Sequence, residues 1–329
     1  MTTATYNSKI YTLYTENQAI RERVGTSRSP MKPYLLMEKI GNSKLSESFT
    51  IQSKFKPFIN EDFYLAHEPN FVDDFFKGID PSASSNYLRW NKTFAESIRY
   101  TNSSLYHAQK YAVENPNSIT FSPTSGFHHA IPSEGRAFCT FSGQVISAVK
   151  LYREKGIRSA WIDMDGHFGN SIEDSRYFVP DLNSAIPEGM NLNPKKGNGY
   201  TCLESLSLGL EKIAEEVKNG RIDSICYAQG ADSHIWDDLR VQETMLNTED
   251  WITAHRMVFQ TIRDLSITIG KPIPLTLSLF GGYRENDYDS VLNLHILNLQ
   301  SCLEILCGVE PKYSMEEVQE KRRILLNEI

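Results

Sequence analysis

The 329 residues carry 34 basic and 41 acidic side chains, a formal charge of −7, and are 40% hydrophobic. That is chain enough for a large core, and the balance excludes a whole-chain basic footprint for nucleic acid, a collagen-like repeat and charge-driven disorder. Five scattered cysteines (Cys139, Cys202, Cys226, Cys302, Cys307) form no Cys-x-x-Cys pair, which argues against a disulfide framework or a zinc ribbon and for a reducing compartment. The N-terminal MTTATYNSKIYTLY lacks a basic stretch followed by an apolar one. The most apolar late stretch, 290–309, is interrupted by Asn, His, Gln and Glu304 and reads as an amphipathic helix, not a membrane span. A cytoplasmic protein with no nucleic-acid or membrane partner is expected; the oligomeric state is left open.

In chain order, residues 9–14 read as an opening strand and 34–40 as a helix after the Pro30 and Pro33 punctuation. A long helix over 91–114 precedes a strand over 118–122, a helix over 143–155 and a strand over 158–164. Then come a helix over 202–218, a strand over 224–228 and a helix over 248–269 with Thr248 as its N-cap. A strand over 274–279 and helices over 290–307 and 314–327 close the chain. The charged run from Met315 to Ile324 reads as a solvated helix face. No repeat or linker interrupts this, so one domain over 1–329 is expected. Strands alternating with helices imply a mainly parallel, doubly wound α/β sheet, whose chemistry gathers at the carboxyl ends of the strands.

Four such ends carry unusual residues. In Trp161-Ile-Asp-Met-Asp-Gly-His-Phe-Gly-Asn170, extended backbone puts Asp163, Asp165 and His167 on one face. Two carboxylates and an imidazole at that spacing suit a divalent metal. The strand from Ser224 ends in Gly230 and delivers Asp232, and the strand from Leu275 ends in Gly281, Gly282 and Tyr283. Paired glycines permit close backbone approach, and a tyrosine can donate to a polarised oxygen. A fourth strand ends in tandem histidines, His128 and His129.

Together, Gly-Phe-His-His-Ala (126–130), Asp-Met-Asp-Gly-His-Phe-Gly-Asn (163–170), Gly-Ala-Asp-Ser (230–233) and Gly-Gly-Tyr (281–283) resemble the histone deacetylase family, including its bacterial amidohydrolase and acetylpolyamine members. Segments 29–33, 67–72 and 137–142 add to a resemblance that spans about residues 10 to 310. It implies the arginase–deacetylase fold and a zinc-dependent deacetylase acting on a linear amide C–N bond. It further implies Asp165, His167 and Asp232 as metal ligands, and His128 and His129 as the tandem histidines beside the attacking water. Asp163 and Asn170 become their partners, and Tyr283 the carbonyl-polarising phenol. Phe127, Phe138, Gly281 and Gly282 are implied to contact substrate. Zn2+ is the implied ion with Fe2+ as alternative, joined by a structural K+ near Asp163–His167.

Three positions depart from the family pattern. Phe168 replaces a second histidine and is expected to make the surroundings of the site more apolar. Leu35 stands where an arginine is usual behind the metal, and no aspartate for gripping a peptide backbone occurs around residues 85–90. The missing aspartate and the acidic net charge favour a small acylated amine or metabolite over a peptide acyl-lysine. A binuclear manganese ureohydrolase would need further aspartates, and a non-catalytic binding protein would be expected to lack Tyr283 or a histidine. The remaining histidines (His67, His107, His234, His255, His295) lack acids at metal spacing; His107, His255 and His295 are expected in helices, and His234 at the rim of the site.

Overall fold

The computed structural model describes residues 5–25, 27–239 and 246–309. Seven parallel strands form one sheet: β1 (Ile10–Leu13), β2 (Phe49–Gln52), β3 (Ile119–Ser122), β4 (Ser159–Asp163), β5 (Asn191–Leu192), β6 (Ser224–Gln229) and β7 (Leu275–Leu279). Their spatial order is β2-β1-β3-β7-β6-β4-β5. Among the described residues, ten α-helices surround the sheet: α1 (Lys32–Gly41), α2 (Asn60–Phe63), α3 (Pro69–Lys77), α4 (Lys92–Glu114), α5 (Gly143–Lys155), α6 (Ser171–Ser175), α7 (Leu182–Ala185), α8 (Gly199–Lys218), α9 (Thr248–Ile269) and α10 (Tyr288–Cys307). α4 packs on β1, β3 and β7 and against α5, while α8, α9, α10 and α1 follow one another as a second layer.

The central strands read as apolar runs because both faces are covered: every residue of β3, β4, β6 and β7 is buried. Registers such as Trp161 opposite Cys226 and Tyr227 opposite Leu277 lock these strands in place, so their carboxyl ends emerge side by side. The helices start where side chains can satisfy their first N–H groups. Asn91 accepts from Phe94, Ser142 from Val145 and Asn198 from Thr201. For α9 the cap is Asn247, accepting from Asp250, and Thr248 is already inside the helix, which starts one residue earlier than expected.

Among the described residues, six of these elements went unread in the sequence: β2, β5, α2, α3, α6 and α7. β2 is an edge strand whose FTIQ pattern is half exposed, so no apolar run announces it. α3 buries Phe71, Val72 and Phe75 and ends at Gly78 in left-handed conformation, a pattern too short to stand out among its aspartates. α10 is 20 residues long with a mean hydropathy of 1.2 in its most apolar window, but 67% of that window is buried, against α9 and α1. The expected helix over 314–327 and its charged face lie outside the described residues.

Candidate active site

Four adjacent strands, β3-β7-β6-β4, deliver the four motifs to one edge of the sheet. Donor atoms of Asp165, His167 and Asp232 all lie within 4.8 Å of one another. His167 Nδ1 is 2.8 Å from Asp232 and 3.2 Å from Asp165, and its Nε2 donates to the Leu239 carbonyl at 3.0 Å. That carbonyl leaves Nδ1 as the atom aimed between the carboxylates, the usual way a metal-ligating imidazole is oriented. The glycines of the motifs are required by this closeness. A Cβ on Gly281 would stand 2.3 Å from the Asp232 carboxyl, and one on Gly169 would stand 2.2 Å from Asp163.

The electrostatics call for a cation here. Burial, and then Asp165, push Asp232 up to about 7. Asp165 is held well below the usual range against its own burial, chiefly by His128 and His167. Hydrogen bonds that its ring donates to Asp165 and then Asp232 raise His167 to about 10, so the pair of acids binds positive charge at this point. Two buried carboxylates and one imidazole are a fitting donor set for a single divalent ion with a coordination position left open.

The tandem histidines face different partners. His128 Nδ1 donates to Asp163 at 2.9 Å, and both side chains are buried. His129 Nδ1 donates to the Asn170 Oδ1 at 2.9 Å, and Asn170 is itself anchored by Asp174. Burial opposes charge on His128, yet Asp165 and Asp163 raise it overall. His129 has only an amide behind it, and burial with the neighbouring His128 pulls it down to about 4. The rings are 4.0 Å apart, and environments that separate the acidities of neighbouring groups mark an acid–base site.

Tyr283 lies 6.4 Å from His167 and 5.7 Å from Phe138, ring centre to ring centre. Burial, followed by Asp165 and Asp232, pushes its phenol well above the ordinary value, so it stays a donor. Phe138 and Tyr283 line a cavity of about 200 Å³ with Leu239, Tyr288, Arg28 and Asp238. Phe127 does not reach that cavity. It is 1% exposed, packs against Phe280, and lines with Phe138 an internal cavity of about 20 Å³. Gly281 donates its N–H to Asp165 at 2.7 Å, and Gly282 backs onto Val291.

Other expectations are corrected. Phe168 is 56% exposed, so its ring faces solvent and does not make the site more apolar. His234 is buried against Trp236 and bonded to Thr248, held inside the loop and not at the rim. Leu35 packs on the core, and the buried cation nearby is Lys32, whose ammonium donates to the Phe280 carbonyl. Burial lowers Lys32 to about 8 against the pull of Asp232 and Asp165. At the Asp165 carbonyl, in the segment where the resemblance implies K+, Lys196 Nζ donates at 2.5 Å. Sequence reasoning missed Lys32, Lys196 and Asp237.

A histone deacetylase domain model matches residues 27–184. Histone deacetylase 14, chloroplastic, of Arabidopsis thaliana is 25% identical over 224 residues, 57% of this chain and 52% of that protein. Histone deacetylase 8 of Xenopus laevis is 35% identical over 72 residues, 22% of each chain. The chain thus spans about half, or less, of the length of these curated relatives. The crystal structure of the HDA15 HD domain superposes with a TM-score of 0.68 at 13% identity, covering 97% of this chain and 95% of that one, a likeness of fold.

Proposed function

The chain belongs to the histone deacetylase family, and we propose that it is an amidohydrolase that removes an acyl group, acetyl first of all, from a small amine. The observation that carries this is the gathering of Asp165, His167 and Asp232 within 4.8 Å, flanked by His129 on its amide partner and by Tyr283. A Zn2+ ion held by those three residues, with Fe2+ as alternative, would supply Lewis acidity and acidify water.

The protein residues do the rest. Asn170 holds His129 with Nδ1–H outward to the amide, leaving Nε2 as the base that takes a proton from the attacking water. The same nitrogen returns that proton to the amide nitrogen, so that the C–N bond breaks to a neutral amine and a carboxylic acid, whose remaining proton passes to the amine to leave ammonium and carboxylate. His128, held by Asp163, tunes the electrostatics beside the reacting group. Tyr283 donates to the oxyanion formed from the acyl oxygen. A second metal is not favoured, because among the described residues a single group of metal-ligating side chains is found. A binding protein is not favoured either, because His128, His129 and Tyr283 are all retained with their partners.

The substrate choice is supported by the small cavity in front of Tyr283, where Phe138, Leu239 and Tyr288 can flank a slender methylene stem and the acids Asp238 and Glu285 stand together with Arg28. A peptide acyl-lysine is the second reading, favoured by the names of the relatives. A cytoplasmic setting belongs to the same proposal, supported by five free cysteines. The deciding experiment compares kcat/KM on acetylputrescine, a panel of small acyl amides and acetyl-lysine peptides. A peptide preference of about tenfold or more, about 1.4 kcal/mol of discrimination, would overturn the small-amine choice.

A further inference from the structure

Beyond the ligands and acid–base groups, the loop between β6 and α9 touches both halves of the site. Asp237 is 3% exposed, and no step of the mechanism uses it. Its Oδ2 accepts the backbone N–H of Tyr283 at 2.7 Å, and its Oδ1 accepts the N–H of Leu239 at 2.9 Å. Leu239 in turn offers its carbonyl to His167 Nε2 at 3.0 Å. One buried carboxylate therefore stands one hydrogen bond from the backbone of the phenol-bearing residue and two hydrogen bonds, through Leu239, from a metal-ligating ring.

Phe280 and Gly281 are pinned by Gln229, Asp165 and Ala231, and Asp237 takes up the N–H of Tyr283 itself. β7 ends at Leu279, and two glycines follow, the second at a φ of +144° that only glycine adopts with ease. Backbone so permissive leaves the start of the Tyr283 side chain undefined unless something outside the strand holds it. A carboxylate accepting two N–H bonds is a strong, directional clamp, and burying it is costly unless those bonds are made. The loop that carries it is itself tied down: Asp237 donates its N–H to the His234 carbonyl at 3.0 Å, and His234 is bonded to Thr248 on α9.

We propose that Asp237 is a positioning residue for this site, which sets the Tyr283 phenol through the Tyr283 N–H and orients His167 through Leu239. This rests on the amidohydrolase reading for its kinetic arm and on the donor set alone for its metal arm. The test is Asp237→Asn, which keeps the shape but can present an acceptor to only one of the two N–H groups. The expected result is a kcat lower by about 10- to 100-fold with KM changed far less, and a Zn2+ affinity, measured by chelator competition, weaker by about tenfold. In a Tyr283→Phe background the same change should cost kcat only about threefold or less, because the phenol it positions is already gone. Full multiplication of the two losses would show a general structural role and overturn the proposal, as would wild-type kcat and metal affinity in Asp237→Asn. If Asp237→Asn does not fold, Asp237→Glu, which keeps the charge but displaces the oxygens, is read by the same criteria. Should the wild-type protein hydrolyse no acyl amide, the functional reading falls by itself. The metal arm then decides, and unchanged Zn2+ affinity overturns the role of Asp237.

Discussion

His128 and His67 are both buried, at 3% and 0% exposure, and both come from motif segments, yet they sit in opposite chemical settings. His67 lies among Phe71 and Phe141, donates from Nδ1 to the Ile131 carbonyl at 2.9 Å and accepts at Nε2 from the Ser142 N–H at 2.8 Å. Both nitrogens are spent on backbone, no acid is near, and burial drives the ring down to about 4. His128 spends one nitrogen on Asp163 and keeps the other toward Asp165, 3.6 Å away. Burial alone therefore does not make a histidine functional. What separates the two regions is whether a carboxylate compensates the ring and leaves a nitrogen for chemistry.

That contrast can be broken most severely at the acids. Asp165→Ala and His167→Ala each leave two ligands, so metal content should fall to background and turnover with it; stoichiometric metal at this site in both variants would sink the assignment. Tyr283→Phe should bind metal normally and lose about 100- to 1000-fold in kcat, the scale of removing one oxyanion donor. His129→Ala should also keep its metal and lose about 100-fold or more, and a near-normal rate there would mean that the proton is moved by another group.

The packing histidine should show itself in stability instead. His67 is neutral in the fold, with its acidity lowered from 6.5 to about 4. The unfolded chain therefore takes up the proton first as pH falls, and the stability present above pH 6.5 is lost progressively toward pH 4. The full contribution is about 3 kcal/mol. Urea titrations from pH 7.5 to 4 should show an acid slope that is shallower by one proton in His67→Gln, whose amide can still donate and accept. Equal slopes would return His67 to the class of compensated rings.

The strands that carry the chemistry were legible because each is a short apolar run ending in polar residues, but β4 stops at Asp163, so Asp165 and His167 sit in the bend beyond it and not on the expected strand face. Asp237 and Lys32 were not legible for a different reason. Asp237 acts on a residue 46 positions later and Lys32 on one 248 positions later, and neither has a local pattern that distinguishes it from a loop acid or a helix-entry lysine. Phe127 and Phe138 looked equivalent as aromatics near the tandem histidines. The structure separates them, because the turn that puts Phe138 at a φ of +66° brings it to the cavity while Phe127 is sealed against Phe280.

By itself, the sequence determined the parallel α/β layering, the four strand ends and the types of group each would present, because strand burial, capping and side-chain alternation are set within a few residues. Tertiary structure decided which of those groups meet. His167 and Asp232 are 65 residues apart in the chain and 2.8 Å apart in space only because β4 and β6 pair in register. It also decided that Phe168 faces water and that Asp237 clamps the Tyr283 turn, since exposure and long-range hydrogen bonds depend on which surfaces are already covered.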